Sequence, residues 1–152
     1  LRAASPVTLV PGPDLRGTRV LVVEDGPTTT HGGMAFGAGT VAARAAGAEI
    51  VDPRRWAVGE IADAFERFPH LGAVLPALGY SDGQIADLCA TARAVECDVV
   101  VAGTPFDLAR IGDLGHPVRR VSYDVEPVSE PGVPDLGVLL APVVARAGEA
   151  RS

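Results

Sequence analysis

The chain has 152 residues, 47% of them hydrophobic and 21% charged, a balance that fits one folded domain with a core and argues against a disordered chain. Its formal net charge is -6, from 19 acidic residues against 13 basic ones, and every basic residue is an arginine. Scattered arginines on an acidic chain do not make the dense basic face that non-specific nucleic-acid binding needs. The lack of lysine excludes a P-loop grip and Schiff-base chemistry within these residues.

No apolar run approaches the roughly 18 residues that suggest a membrane span. The opening LRAASPVTLVPGP has no continuous apolar stretch of the signal-peptide kind. A cytoplasmic protein without nucleic-acid or membrane partners is expected. Cys89 and Cys97 lack CxxC spacing and read as buried reduced thiols, with a disulfide or metal pair as the alternative. The chain opens on Leu1 rather than Met, which fits a fragment or a processed product.

Residues 1–18 hold three prolines and two glycines and read as a linker or leading segment. RVLVVED (19–25) is a continuous β-branched run, the pattern of a strand buried on both faces. A glycine-rich loop, 26–39, follows, then a small-residue helix over 39–49 closed by Gly47. AEIVDP (48–53) is a short strand ended by Pro53. The segment 57–68 places Val58, Ile61, Ala62, Phe65 and Phe68 on one stripe of a helix.

Residues 69–80, with Pro69, Gly72, Pro76 and Gly79, read as a loop apolar enough to be buried. Ser81 caps a helix over 81–96 with Asp82 in its first turn. CDVVVAGTP (97–105) is a buried strand, 106–114 a short helix or turn, and 116–127 a strand placed at the sheet edge for its imperfect alternation. Residues 128–152 form a Pro/Gly-rich tail with a last helix over 136–149 interrupted by Pro142. The order implies a Rossmann-like, three-layer α/β domain over 19–127, with a mainly parallel sheet of about four strands. Ligands of such sheets sit beyond the carboxyl ends of the strands.

Two loops leave strand ends with suggestive chemistry. In EDGPTTTHGGMAFGAG (24–39), Gly32, Gly33, Gly37 and Gly39 let backbone amides approach an anion ahead of a helix N-terminus. Thr28, Thr29 and Thr30 add hydroxyls, and His31 an acid, base or phosphate donor. Asp25 is the second catalytic candidate. The same segment also reads as a tight turn whose glycines serve packing. In VAGTPFD (101–107), Thr104 joins the phosphate-binding candidates, and Asp107 joins Asp25 as a candidate metal carboxylate. The alternative there is a helix start with Thr104 as cap and Pro105 at the first position. Arg54 and Arg55 beside Trp56 could grip a phosphate and stack on a ring, His70 beside a proline loop could be functional, and Asp52 at a strand end stays in play as a metal carboxylate; a solvated charge pair and a surface histidine are the alternatives.

VLVVEDGPTTTHGGMAFGAG, AEIVDPRRWAVGEIADAFERFPHLGAVLPALGYSDGQIADL and ECDVVVAGTPFDLARI together resemble the cyclic 2,3-diphosphoglycerate synthetase family, whose bacterial members are described as GTPases. The resemblance runs over roughly residues 5–125. It implies a much longer protein that uses Mg²⁺ with ATP or GTP on a phosphorylated small molecule such as 2,3-diphosphoglycerate. Its P-loop domain would lie upstream of the part matched here. No individual catalytic residue carries over. The expectation is a C-terminal domain that lends its Gly/Thr/His loop to a nucleotide-dependent site and is inactive alone, with a non-catalytic interaction domain as the alternative.

Overall fold

In a computed structural model the residues described are 2–78, 81–124 and 126–128, together with 138 and 141. The helix expected over 136–149 falls, apart from 138 and 141, outside them. The chain divides into two compact units. One is Val7–Ser122. The other, built from Leu1–Pro6 and Tyr123–Ser152, carries an antiparallel pair of strands, β1 (Arg2–Ala4) with β8 (Glu126–Val128).

Val7–Ser122 is a mixed α/β unit around a mostly parallel sheet of six strands. The strands are β2 (Val7–Leu9), β3 (Arg19–Asp25), β4 (Glu49–Ile50), β5 (Leu75–Ala77), β6 (Val99–Gly103) and β7 (Val118–Tyr123), the last ending one residue into the other unit. Their order is β2-β7-β6-β3-β4, with β5 also on β3. One flank of β3 carries β6 in parallel, from Val20 opposite Val99 to Glu24 opposite Gly103. Its other flank is shared: β4 pairs with Arg19 and Val20, and β5 with Val23 to Asp25, both parallel.

Two points differ from expectation. Residues 75–77 form a strand despite Pro76, because β5 pairs with β3 alone, and an unpaired flank tolerates a residue without an N–H. The strand expected at the edge, β7, lies inside the sheet between β2 and β6. Within it Arg119 reaches back to the leading segment, donating to the Val10 and Pro13 carbonyls at 2.7 and 2.8 Å. The leading residues 2–9, read as a linker, thus hold two short strands, and the sheet exceeds the four strands expected.

Five helices connect these strands: α1 (Gly26–Thr30), α2 (Ala38–Ala45), α3 (Gly59–Arg67), α4 (Asp82–Ala94) and α5 (Leu108–Ile111), with a 3-10 turn at Arg54–Trp56. Side chains of β3 alternate between two cores. Leu21 and Val23 pack with Ile61 of α3 and Leu88 and Ala92 of α4. Val20 and Val22 pack with Ala42 and Ala43 of α2. All four β3 side chains are fully buried, which is why this run has no polar alternation. Ser81 caps α4 as expected, accepting from the Gln84 amide at 3.2 Å. Cys89 and Cys97 are free and buried. No helix among the described residues is long and apolar enough to cross a membrane.

Candidate functional site at the carboxyl ends of β3 and β5

Glu24 follows Val22 on the α2 face of β3, and it is 1% exposed. A carboxylate buried without partners would cost several kcal/mol. Here α2 supplies them. Oε1 accepts from the Gly37 amide at 3.0 Å, the Thr40 amide at 2.7 Å and the Thr40 hydroxyl at 2.8 Å, and Oε2 accepts from the Gly39 amide at 3.1 Å. The N-terminus of α2, which the sequence offers to a phosphate, holds the chain's own carboxylate. Gly39 and Gly103 make this possible: a Cβ on Gly103 would lie 2.4 Å from both the Gly39 nitrogen and Glu24 Oε2. The N-terminus of α2 therefore meets the end of β6 at the carboxyl edge.

The stretch GPTTT, expected as loop, is the short helix α1. Asp25 caps it, accepting from the Thr28 amide at 3.2 Å and the Thr28 hydroxyl at 2.8 Å. Thr29 Oγ1 lies 3.0 Å from the Asp25 carbonyl and 3.1 Å from that of Gly26, and Thr30 Oγ1 donates to the Gly26 carbonyl at 2.7 Å. All three hydroxyl protons are spent on the helix itself. His31 Nδ1 lies 3.0 Å from Thr30 Oγ1. His70 Nε2 donates to the Thr29 carbonyl at 2.8 Å, so His70 braces α1.

Thr104 Oγ1 accepts from the Phe106 amide at 3.3 Å, and the cap of α5 is Asp107 rather than Thr104. Gly32 and Gly33 lie in the turn after His31, Gly33 at φ 65°. Of the two candidate metal carboxylates, Asp25 caps α1, and Asp107 lies 3.9 Å from Arg120. No group of three or more His, Cys, Asp or Glu side chains among the described residues is placed to hold a metal ion. Arg54 pairs with Asp52, reaches the Leu71 carbonyl and lies over Phe65, whereas Arg55 stacks 3.7 Å from the Trp56 ring and pairs with Glu96.

A cleft of ≈ 360 Å³ opens beside the end of α1. Thr30 and His31 form one wall, and the polar face of α3 with Gln84 of α4 the other. Glu60, Asp63 and Arg67 project into it, and Ala64, Phe68 and Leu78 supply apolar lining. Sequence reading used α3 only for its buried stripe, so these charged residues were missed. Their spacing of three and four residues on one face is the signal that could have found them.

The described geometry can be set beside known proteins. Over 133 residues the chain is 51% identical to the arginine synthetase ArcE of Thermococcus kodakarensis. That match covers 86% of this chain but 30% of the relative, so the chain spans under a third of that protein's length. No protein-family model and no solved structure matches.

Proposed function

We propose that this chain is the C-terminal domain of a longer synthetase, with a Rossmann-like three-layer core, acting in a nucleotide-dependent ligation. In this reading the nucleotide, ATP or GTP with its Mg²⁺, is held by a P-loop domain outside these residues. The carboxyl edge around Thr28–Gly33, His31 and Thr104 faces the phosphorylated intermediate. The observation that carries the proposal is the 51% identity with an arginine synthetase of which this chain spans 30%. The resemblance to cyclic 2,3-diphosphoglycerate synthetases points to the same reaction class with a different acceptor.

Within the edge, the division of labour follows from which groups are uncommitted. Gly37, Gly39 and Thr40 are engaged by Glu24 and act by holding the loop. His31 lines the cleft and is exposed, and its ring can donate a hydrogen bond to a ligand. Thr104 keeps its own hydroxyl proton while accepting from Phe106. These two are the groups from which a phosphoryl oxygen would take hydrogen bonds.

The second reading, a non-catalytic docking domain, is favoured by one observation. Met34, Phe36 and Phe106 are exposed by 49%, 37% and 50% on the two loops that leave this edge. Calorimetric titration of the full-length gene product with ATP, GTP, arginine and 2,3-diphosphoglycerate separates the two readings. The synthetase reading requires saturable nucleotide binding and a phospholigand affinity that falls on His31→Ala. Nucleotide binding absent from the full-length product would leave the docking reading.

A further inference from the structure

The cleft beside α1 carries a charge pattern that is not satisfied among the described residues. Glu60, Asp63 and Arg67 lie on one α3 face at i, i+3 and i+7, with Ala64 between them. Asp63 and Arg67 are four residues apart in the favourable order for a helical ion pair. They do not form one. The ion pairs of the described residues join Arg19 to Asp98, Arg54 to Asp52, Arg55 to Glu96 and Arg120 to Asp107. Neither Asp63 nor Arg67 takes a hydrogen bond or ion pair from its side chain among the described residues.

Glu60 is positioned rather than spent. Gln84 donates to its Oε2 at 2.6 Å, which leaves Oε1 for another donor. The cleft volume, ≈ 360 Å³, lies at the small end of the range of roughly 300–1,000 Å³ for small-molecule sites. From Glu60 to Arg67 the helix rises about 10 Å, the reach of an extended small molecule charged at both ends. Between those ends the lining is Ala64, Phe68 and Leu78, apolar surface suited to a methylene stem.

We infer that this cleft binds a free α-amino acid with a cationic side chain, Arg67 taking its carboxylate and Asp63 with Glu60 taking its guanidinium or ammonium group. Two carboxylates at one end and one guanidinium at the other disfavour a polyanion such as 2,3-diphosphoglycerate here. The inference deepens the synthetase reading and rests on it for the identity of the probe, arginine. The placement beside α1 puts an amino-acid substrate next to the proposed phosphoryl site.

The test is an amide-shift NMR titration of this chain with L-arginine and, separately, with agmatine, which keeps the guanidinium and lacks the carboxylate. The expected result is saturable arginine shifts at His31, Glu60, Asp63, Arg67 and Gln84. Arg67→Leu should weaken arginine about tenfold, the scale of one charged hydrogen bond, and leave agmatine unchanged. Asp63→Asn should weaken both ligands about tenfold on the same scale. Both side chains are exposed, so the variants fold, and an unchanged melting temperature verifies it. Absence of saturable shifts at these amides, or equal loss of both ligands in Arg67→Leu, overturns the inference. Nucleotide-dependent turnover of the full-length product is read separately. Turnover without cleft shifts sinks the cleft alone, whereas cleft shifts without turnover sink the synthetase reading and leave the cleft standing.

Discussion

Glu24 and Thr40 form a double contact: one carboxylate oxygen of Glu24 accepts both the amide of Thr40, at 2.7 Å, and its hydroxyl, at 2.8 Å. The acid belongs to the central strand and the threonine to the first turn of α2, so the contact locks that helix onto the sheet. Its geometry gives a stability prediction. In Glu24→Gln the amide nitrogen replaces one acceptor, facing either Gly39 or the Thr40 donors. A buried donor left unsatisfied costs about 1–3 kcal/mol, and urea denaturation should register a loss of that size. An unchanged unfolding midpoint would mean that α2 is held by apolar packing alone.

The close approach of Gly39 and Gly103 leads to the next expectation. Gly103→Ala sets a methyl 2.4 Å from the Gly39 nitrogen and Glu24 Oε2, within a parallel pair that cannot shift cheaply. It should cost at least about 1–3 kcal/mol, the usual scale of overpacking. Gly83→Ala is the control. Its added methyl would meet only Ser81 Oγ, at 3.8 Å, and it lies in the first turn of α4. There alanine should stabilise by roughly 0.4–1 kcal/mol. Thermal melts of both variants decide, and equal effects would refute the packing argument.

Much of this arrangement is legible in the sequence, and the failures have physical causes. The runs at 19–25 and 97–105 announce central parallel strands because continuous β-branched residues suit a strand covered on both faces. The interior proline concealed β5, since the sequence does not say that Pro76 faces an unpaired flank. In α1 the residues Gly, Pro and three threonines are poor helix formers; the helix exists through the Asp25 cap and hydroxyl bonds to its own carbonyls. The glycines at 37 and 39 did signal amides aimed at an anion. That the anion is Glu24, thirteen residues before Gly37, depends on a register no local pattern reveals. The cleft was invisible because Glu60, Asp63 and Arg67 look like any solvated helix face.

Thr30 and His31 are neighbours with opposite expected roles. Thr30 is 8% exposed and its hydroxyl holds the Gly26 carbonyl. Thr30→Ala should therefore cost about 1 kcal/mol through the lost hydrogen bond. His31 is exposed, and His31→Ala should leave the melting temperature of this chain nearly unchanged while weakening phospholigand binding by the full-length product. A stability loss in His31→Ala with unchanged binding would make the ring a structural brace.

Hydrolysis offers a direct check on the division of labour between this chain and a P-loop partner. The isolated chain with Mg²⁺ and ATP or GTP should release no phosphate above background, because it has no lysine and no Walker loop. Turnover by the pure chain that is abolished by a substitution within residues 1–152 would show that a complete nucleotide site lies here after all.

The two thiols make stability depend on alkaline pH. Burial pushes the pKa of Cys89 and of Cys97 above the ordinary thiol value. Each sulfur sits where its charged form would lose water: Cys89 behind Gly112, whose added Cβ would meet Sγ at 2.7 Å, and Cys97 just before β6. For Cys89 the nearby Arg93 opposes the rise and Asp113 adds to it, but desolvation dominates. A raised folded pKa means that the folded chain holds the thiol protons more tightly than the unfolded chain. The corresponding stability is complete below the unfolded pKa and is lost as pH climbs through the folded one. Unfolding midpoints should therefore fall as the solution passes above pH 9, and Cys89→Ala with Cys97→Ala should flatten that fall even if it lowers the plateau. The same burial should make both thiols slow to react with a disulfide reagent in the native chain and fast in urea, since the thiolate is the nucleophile. Fast native labelling, or an alkaline slope unchanged in the double variant, would place the charged forms in water and remove the thiols from the pH dependence.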